Sequence, residues 1–145
     1  MRVHSVSLHD SIIRIDNELA SQSELLCVKH IGHSLSVCFN GELKRFCLPN
    51  LEYIGSNLSV SGNDLLTLAS FPSLSQVAWI SISRLPVLQR FEAGNLKVIS
   101  HGFFAGSSPN LTHVFIPPNV GGMVTILGTG LNTRAPFTTG IPTDL

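Results

Sequence analysis

The chain has few charged residues: 12% of its 145 residues are Asp, Glu, Lys or Arg, about half of the usual ~25%. Nine basic and nine acidic side chains cancel, so nothing favours nucleic acid or an anionic membrane surface as a partner. No apolar run reaches the ~18 residues of a membrane span. The N-terminal sequence also lacks the apolar segment of a signal peptide. We therefore expect a protein without a membrane span, either cytoplasmic or secreted by a signal-independent route.

Cysteine is also scarce, since the chain has three, an odd number far below the density of a disulfide scaffold. Two of them enclose two histidines in "CVKHIGHSLSVC" (27–38), which places four zinc-type ligands close together: Cys27, His30, His33 and Cys38. Their spacing is not that of the usual paired zinc ligands, and the repeat described below accounts for the segment. We predict no metal and no cofactor, with a small zinc-binding domain at these four residues as an alternative.

Signatures of catalysis are missing as well. Gly121-Gly122 and Gly128 lack the strand, lysine and helix of a phosphate-binding loop. The nine acids are scattered, and no local pattern indicates a Cys–His nucleophilic pair with its orienting group. We predict that the protein is not an enzyme and has no catalytic residue.

What the chain does contain is an internal repeat. "VKHIGHSLSV" (28–37) aligns with "LEYIGSNLSV" (51–60), so that Ile31-Gly32 falls on Ile54-Gly55. The shared positions are apolar residues, glycine and one serine, whereas the zinc-type side chains fall on positions that differ.

Four further stretches share one apolar frame: "LKRFCLPNL" (43–51), "LTLASFPSL" (66–74), "LQRFEAGNL" (88–96) and "LTHVFIPPNV" (111–120). Their first leucines recur at a spacing that is constant to within one position: Leu43, Leu66, Leu88 and Leu111. Each stretch has apolar residues three and five positions after that leucine: Phe46 and Leu48, Ala69 and Phe71, Phe91 and Ala93, Val114 and Ile116. A later apolar residue closes each stretch, and another follows three positions on: Ile54, Val77, Ile99 and Met123.

This frame predicts a β-rich solenoid. Alternating positions indicate a strand with one face inside, and proline, glycine and asparagine after each strand indicate turns. A second alternating segment, Leu35–Val37, Leu58–Val60 and Ile80–Ile82, predicts another wall of each coil. One unit is too short to bury its apolar face, so the units must stack.

The frame resembles the leucine-rich repeat, most closely the BspA-type family, whose repeat of similar length contains an L-x-x-I-x-[LI]-P step and an I-G step. "LKRFCLPNLEYIGSNL" matches it, whereas "VAWISIS" (77–83) lacks the Ile-Gly. The resemblance covers residues 26–127. It implies a right-handed coil, mostly strands and loops with short helical segments, and a concave parallel sheet used for binding. Family members are often microbial surface or secreted proteins that contact host molecules.

Within such a coil the outward residues of the repeated strand form two ladders. The first ladder is Arg45, Leu68, Arg90 and His113, and the second is Cys47, Ser70, Glu92 and Phe115. Arginine and aromatic side chains are favoured interface anchors, and we predict these eight residues as the partner-binding face.

We expect one domain, with an N-terminal cap at 1–25, about four and a half repeats at 26–131 and a tail or cap at 132–145. Two alternatives concern the first segment: an earlier, degenerate coil containing Ile13–Ile15, or a helix that begins near Ser21 and ends near Gly32. Asn40-Gly41 also has the composition of a hairpin turn, although Asn40 aligns with Asn63 of an ordinary loop.

These patterns predict a non-enzymatic protein–protein interaction module, by resemblance a microbial adhesin or secreted effector that binds a host protein. The alternatives are a structural repeat unit that oligomerises through its open C-terminal coil, for instance as a homodimer, and the zinc-binding domain.

Overall fold

The computed structural model describes residues 6–8, 12–15, 26–115 and 123–130, which contain strands and no helix. The strands are β1 (Val6–Leu8), β2 (Ile12–Ile15), β3 (Val28–Ile31), β4 (Ser34–Cys38), β5 (Arg45–Cys47), β6 (Tyr53–Ile54), β7 (Asn57–Ser61), β8 (Leu68–Ser70), β9 (Gln76–Ser83), β10 (Arg90–Glu92), β11 (Val98–Ser108), β12 (His113–Phe115) and β13 (Met123–Thr129). Their pairings are parallel. The predicted β-rich solenoid is confirmed, but the short helical segments are absent from the described residues.

Parallel pairing follows from stacking, because each strand lies beside its counterpart one coil away. We number the coils 1 (26–48), 2 (49–71), 3 (72–93) and 4 (94–115). One sheet takes a single short strand from each coil, in the order β12-β10-β8-β5. The other described strands form a second sheet, in which β9 joins the β1-β3-β6 side to the β7-β4-β2 side, and β11 and β13 continue it.

The interior contains the apolar frame that the repeat predicts. The residues three and five positions after each leucine are fully buried where their side chains are described, as are Leu35, Leu58, Ile80 and Phe103 in the other wall. Residue size alternates along the stack: Ala69 lies in register between Phe46 and Phe91. Small residues therefore make room for the rings of neighbouring coils, which is how a close-packed interior accommodates large side chains.

Four phenylalanines form one continuous chain through this interior. Ring centroids are 6.0 Å apart for Phe46–Phe71, 5.8 Å for Phe71–Phe91 and 6.3 Å for Phe91–Phe103, with tilted or edge-on planes that suit aromatic pairs. Phe46 and Phe91 lie in the repeated strand and Phe71 directly follows it, whereas Phe103 lies in β11. The chain of rings links all four coils.

The Ile-Gly step forms a corner at which neighbouring coils approach closely. The Gly55 N–H donates to the Ile31 carbonyl at 2.9 Å, and a Cβ at Gly55 would overlap the carbonyl oxygen of Gly32. Coil 3 replaces the step with Ala78, has one residue fewer at this corner, and runs through it as the uninterrupted strand β9. This is the structural reason why "VAWISIS" departs from the repeat.

A second corner has a left-handed residue in every described coil. Positive φ angles occur at Phe39 (57°), Gly62 (63°), Arg84 (53°), Ser107 (50°) and Gly128 (63°), which are successive equivalents along the stack. This conformation costs most side chains roughly 1–2 kcal/mol. It therefore persists at Phe39, Arg84 and Ser107 because the stacked backbone imposes it.

The residue that follows the left-handed corner is buried in each of coils 1 to 4, and in coils 1 and 2 it is Asn40 and Asn63. β4 and β5 lie in different sheets, so the Asn40-Gly41 hairpin is wrong and the alignment of Asn40 with Asn63 is confirmed. Asn63 Oδ1 accepts from the backbone N–H of Asn40 at 2.9 Å and from its Nδ2 at 3.0 Å. Both asparagines are buried, and their amides link coils 1 and 2 inside the solenoid.

Strands β1 and β2 belong to a coil that precedes coil 1, because they pair with β3 and β4 of coil 1. β2 pairs with β4 so that Ile13 lies opposite Leu35 and Ile15 opposite Val37, as in the earlier, degenerate coil that the sequence left open. A helix ending near Gly32 is wrong, since Val28–Ile31 is a strand. The predicted tail at 132–145 lies outside the described residues. No helix among the described residues is long and apolar enough to cross a membrane.

Candidate partner-binding face

The two predicted ladders lie on the four-stranded sheet, in register from coil to coil. Arg45 pairs with Leu68, Leu68 with Arg90, and Arg90 with His113. The second row pairs in the same way through Cys47, Ser70, Glu92 and Phe115. Side chains on this face are therefore repeated at the spacing of parallel strands, about 4.8 Å.

Two charged side chains on this face, those of Arg90 and Glu92, contact neighbouring side chains. Arg90 Nη2 lies 2.9 Å from Glu92 Oε1, and the two side chains are 46% and 32% exposed. Ser70 Oγ donates to Glu92 Oε2 at 3.4 Å. An exposed ion pair contributes only about 0–1 kcal/mol to stability, so the contacts orient the arginine and glutamate more than they stabilise the fold.

Ser70 differs from its neighbours in the second ladder because it is largely buried, with 7% of its surface exposed. Cys47 and Glu92 are half-buried. A serine in this position reaches a partner poorly, and its hydroxyl instead supports the carboxylate of Glu92.

A depression of about 500 Å³ lies over the middle of the face and is lined by Arg45, Thr67, Leu68, Gln89, Arg90 and Glu92. Arg45 is exposed and has no carboxylate within ion-pair distance among the described residues. Together with Arg90 it gives the rim two guanidinium groups against one carboxylate. The depression is thus suited to a partner segment that carries negative charge.

Thr67 and Gln89 were missed by the prediction from sequence. Both precede the repeated strand by one position and are equivalent to Lys44 and Thr112. Thr67 Oγ1 donates to the Lys44 carbonyl at 3.0 Å, and the Gln89 N–H donates to the Thr67 carbonyl at 3.0 Å. The repeat spacing that identified the ladders could also have identified these two positions. They form a third row, one residue before the first ladder.

At the far end of the face, His113 is half-buried, and its Nδ1 lies 2.9 Å from Thr112 Oγ1. The backbone of Phe115 pairs with Glu92 and ends β12. The depression involves coils 1 to 3, so His113 and Phe115 extend the face beyond it.

The four zinc-type residues lie at different places around coil 1. Cys27 is in the turn before β3, His30 is in β3 with its ring 6.1 Å from that of Tyr53, and His33 is at the corner after β3. Cys38 Sγ lies 3.2 Å from Ser61 Oγ in the next coil. Within the described ranges, no group of three or more His, Cys, Asp or Glu residues could hold a metal ion, so the zinc alternative has no geometric support.

Comparison with known proteins relates part of the chain to a fungal protein. The chain is 30% identical over 105 residues to "Protein ecm33" of Aspergillus fumigatus, covering 68% of this chain and 26% of that protein. The chain thus spans about a quarter of the length of this relative. No family model matches the chain, and no solved structure matches it. The leucine-rich-repeat assignment accordingly stays a resemblance, while the solenoid itself is established by the strand register.

Proposed function

We propose that this chain is a non-enzymatic protein-interaction module that binds its partner through the outer face of the four-stranded sheet. The observation that carries the proposal is the depression between Arg45 and Arg90, on a face where six side chains from three coils meet. A solenoid fold fits this role, since stacked repeats hold an extended row of side chains on a regular backbone.

The electrostatics of the face indicate the character of the partner. Two arginines border the depression, and Leu68 is half-buried at its centre. Arginines around an apolar centre are typical of interface anchors, and complementary charge steers association. The partner is therefore a protein that presents an acidic segment with at least one apolar side chain.

The finer part of the proposal comes from the family resemblance. A BspA-type leucine-rich repeat extends the role to a microbial adhesin or secreted effector that engages a host protein.

Charge inversion on this face tests the proposal. We expect Arg45→Glu with Arg90→Glu to weaken binding of the partner protein at least tenfold, because both arginines at the rim of the depression are replaced by groups that repel an acidic segment. The melting temperature should stay within about 3 °C, because both side chains are exposed and the lost ion pair is weak. Affinity capture followed by a binding isotherm on the captured protein measures the effect.

The matched control is Arg84→Glu with Lys97→Glu, which makes the same change in net charge at exposed positions away from the face. It should bind like the parent protein. Equal loss in both double variants would show that only overall charge matters, and unchanged binding in the first would rule out this face.

A second candidate function is self-assembly, favoured by the surface of β13. This strand pairs with β11 and, among the described strands, with no other; Val124 and Leu127 on it are 40% and 62% exposed. If β13 pairs with a second copy, we expect light scattering to show oligomers that dissociate over a hundredfold dilution. Leu127→Lys should abolish these oligomers. A monomer at every concentration would eliminate this function and leave the interaction module.

A further inference from the structure

The shortened corner of coil 3 leaves a depression on the other sheet, away from the partner-binding face. Between aligned strand positions, coil 2 has Gly55 and Ser56 and coil 4 has Ser100 and His101, whereas coil 3 has Ala78 alone. The strand register shows the missing residue directly. Tyr53 pairs with Gln76, and Asn57 pairs with Trp79. Between these two pairs, coil 3 therefore has one residue fewer than coil 2. The register between β9 and β11 then shifts back between Ile99 and Gly102.

The depression has a volume of about 430 Å³ and is lined by Ser56, Asn57, Ala78, Trp79 and His101. Its volume lies within the range of small-molecule sites, about 300–1,000 Å³. Ala78 lies at the shortened corner of coil 3, while Ser56 and His101 belong to the longer corners of coils 2 and 4 on either side. His101 belongs to the irregular part of β11, and irregularities of this kind commonly redirect a side chain toward a site.

The indole of Trp79 is the largest group in this depression. It is half-buried, and its register partner in β11 is Gly102, which has no side chain to cover it. Its partner on the other side, Asn57, also lines the depression. Part of the indole is therefore open to a ligand and bordered by polar groups.

Apart from Ala78, the remaining lining residues are polar, and they contribute a hydroxyl, an amide and an imidazole. Ser56 Oγ donates to Asn57 Oδ1 at 3.4 Å. His101 Nδ1 lies 3.0 Å from Ser100 Oγ, which leaves Nε2 as the ring nitrogen for a ligand. Among the described residues, no Asp, Glu, Lys or Arg lines the depression.

We propose that this depression is a binding site for a neutral saccharide. A sugar ring combines an apolar C–H face with a rim of hydroxyl groups. The π face of an indole carries negative potential that attracts polarised C–H groups, while amide, hydroxyl and imidazole groups both donate to and accept from hydroxyls. The site shares no residue with the partner-binding face, so it is independent of the proposed protein interaction.

The test uses Trp79 itself, because it is the sole tryptophan of the chain and its fluorescence reports on this depression alone. The probes are tetrasaccharides of glucose, mannose and N-acetylglucosamine. We expect at least one to cause a saturable change in emission with a Kd between about 0.1 and 10 mM, as a single shallow subsite provides. No saturable change with any of the three up to about 50 mM would overturn the proposal.

Variants read by calorimetry or ligand-observed NMR locate the binding. Ala78→Phe fills the depression and should weaken binding at least tenfold, and His101→Ala should weaken it about fivefold. The matched control is His33→Ala, an exposed histidine at the equivalent corner of coil 1, which should bind like the parent. Full affinity in both Ala78→Phe and His101→Ala, with unchanged melting temperatures, would place the saccharide elsewhere and contradict the proposal.

Discussion

Replacing Phe91 by alanine should lower the free energy of unfolding by about 3–5 kcal/mol, the usual cost of deleting a fully buried phenylalanine. The Phe91 ring lies between those of Phe71 and Phe103, with centroids 5.8 and 6.3 Å away. Its neighbours in register, Ala69 and Val114, are too small to fill the space. The cavity would thus stay open, and urea unfolding followed by circular dichroism should show a midpoint lower by roughly 2 M.

Phe39→Ala is the matched control, since it removes the same atoms from a side chain that is 59% exposed. The ring of Phe39 lies over Gly62, so a loss of up to about 1 kcal/mol is expected from that contact. Equal losses at the two positions, or a loss below about 1 kcal/mol at Phe91, would contradict the packing described for the phenylalanine chain.

Asn63→Ala should also destabilise the fold, lowering the free energy of unfolding by about 3 kcal/mol. Asn63 is fully buried; its Oδ1 accepts from two donors of Asn40, and its Nδ2 donates to the Val37 carbonyl at 2.9 Å. Alanine withdraws an acceptor from the buried Asn40 N–H and a donor from Val37. Each buried polar group that loses its partner costs about 1–3 kcal/mol.

The comparison for Asn63 is Asn95→Ala. Asn95 is exposed, and its Nδ2 donates to the Pro72 carbonyl at 2.7 Å. Water can replace this partner, so we expect a loss of about 1 kcal/mol or less. Thermal and urea unfolding of both variants measure the difference. If Asn63→Ala lost no more stability than Asn95→Ala, the buried hydrogen bonds between Asn63 and Asn40 would not contribute to stability.

Most of the coil architecture could be predicted from the sequence, because the repeat encodes it more than once. Phe46 and Leu48 recur as Ala69 and Phe71 one coil later, and stacking converts a constant displacement directly into parallel register. Ile13–Ile15 could be aligned with Leu35–Val37 for the same reason. The short helical segments of the repeat were expected from the family resemblance, and a helix beginning near Ser21 was an alternative based on capping-box spacing alone.

The corners were harder to predict, since their conformation depends on neighbouring coils. Phe39 and Arg84 have side chains that disfavour a positive φ, and a single sequence gives no sign that both adopt one. The Asn40-Gly41 pair suggested a hairpin because its local composition is that of a turn, whereas the buried amide of Asn63 determines where Asn40 lies.

For the candidate sites, periodicity located the two ladders, but it could not show the depression on this face or all of the residues that line it. Arg45, Leu68 and Arg90 were predicted from spacing, and the structure adds Thr67 and Gln89 to the same depression. The depression beside Trp79 was signalled in the sequence only by one missing residue in "VAWISIS". A deletion becomes a cavity only when the two flanking coils keep their full length, which is a three-dimensional condition.

The left-handed corner also bears on how the protein acquires its fold. Phe39, Arg84 and Ser107 would not adopt positive φ in a short isolated peptide, so a single coil excised from the chain should lose this corner. Each finished coil acts as a template whose backbone groups, such as the Gly106 carbonyl that accepts from the Arg84 N–H, select the uncommon conformation in its neighbour. Folding of this chain would then spread outward from a nucleus of adjacent coils, with the glycine-containing corner of coil 2 the least costly place to begin.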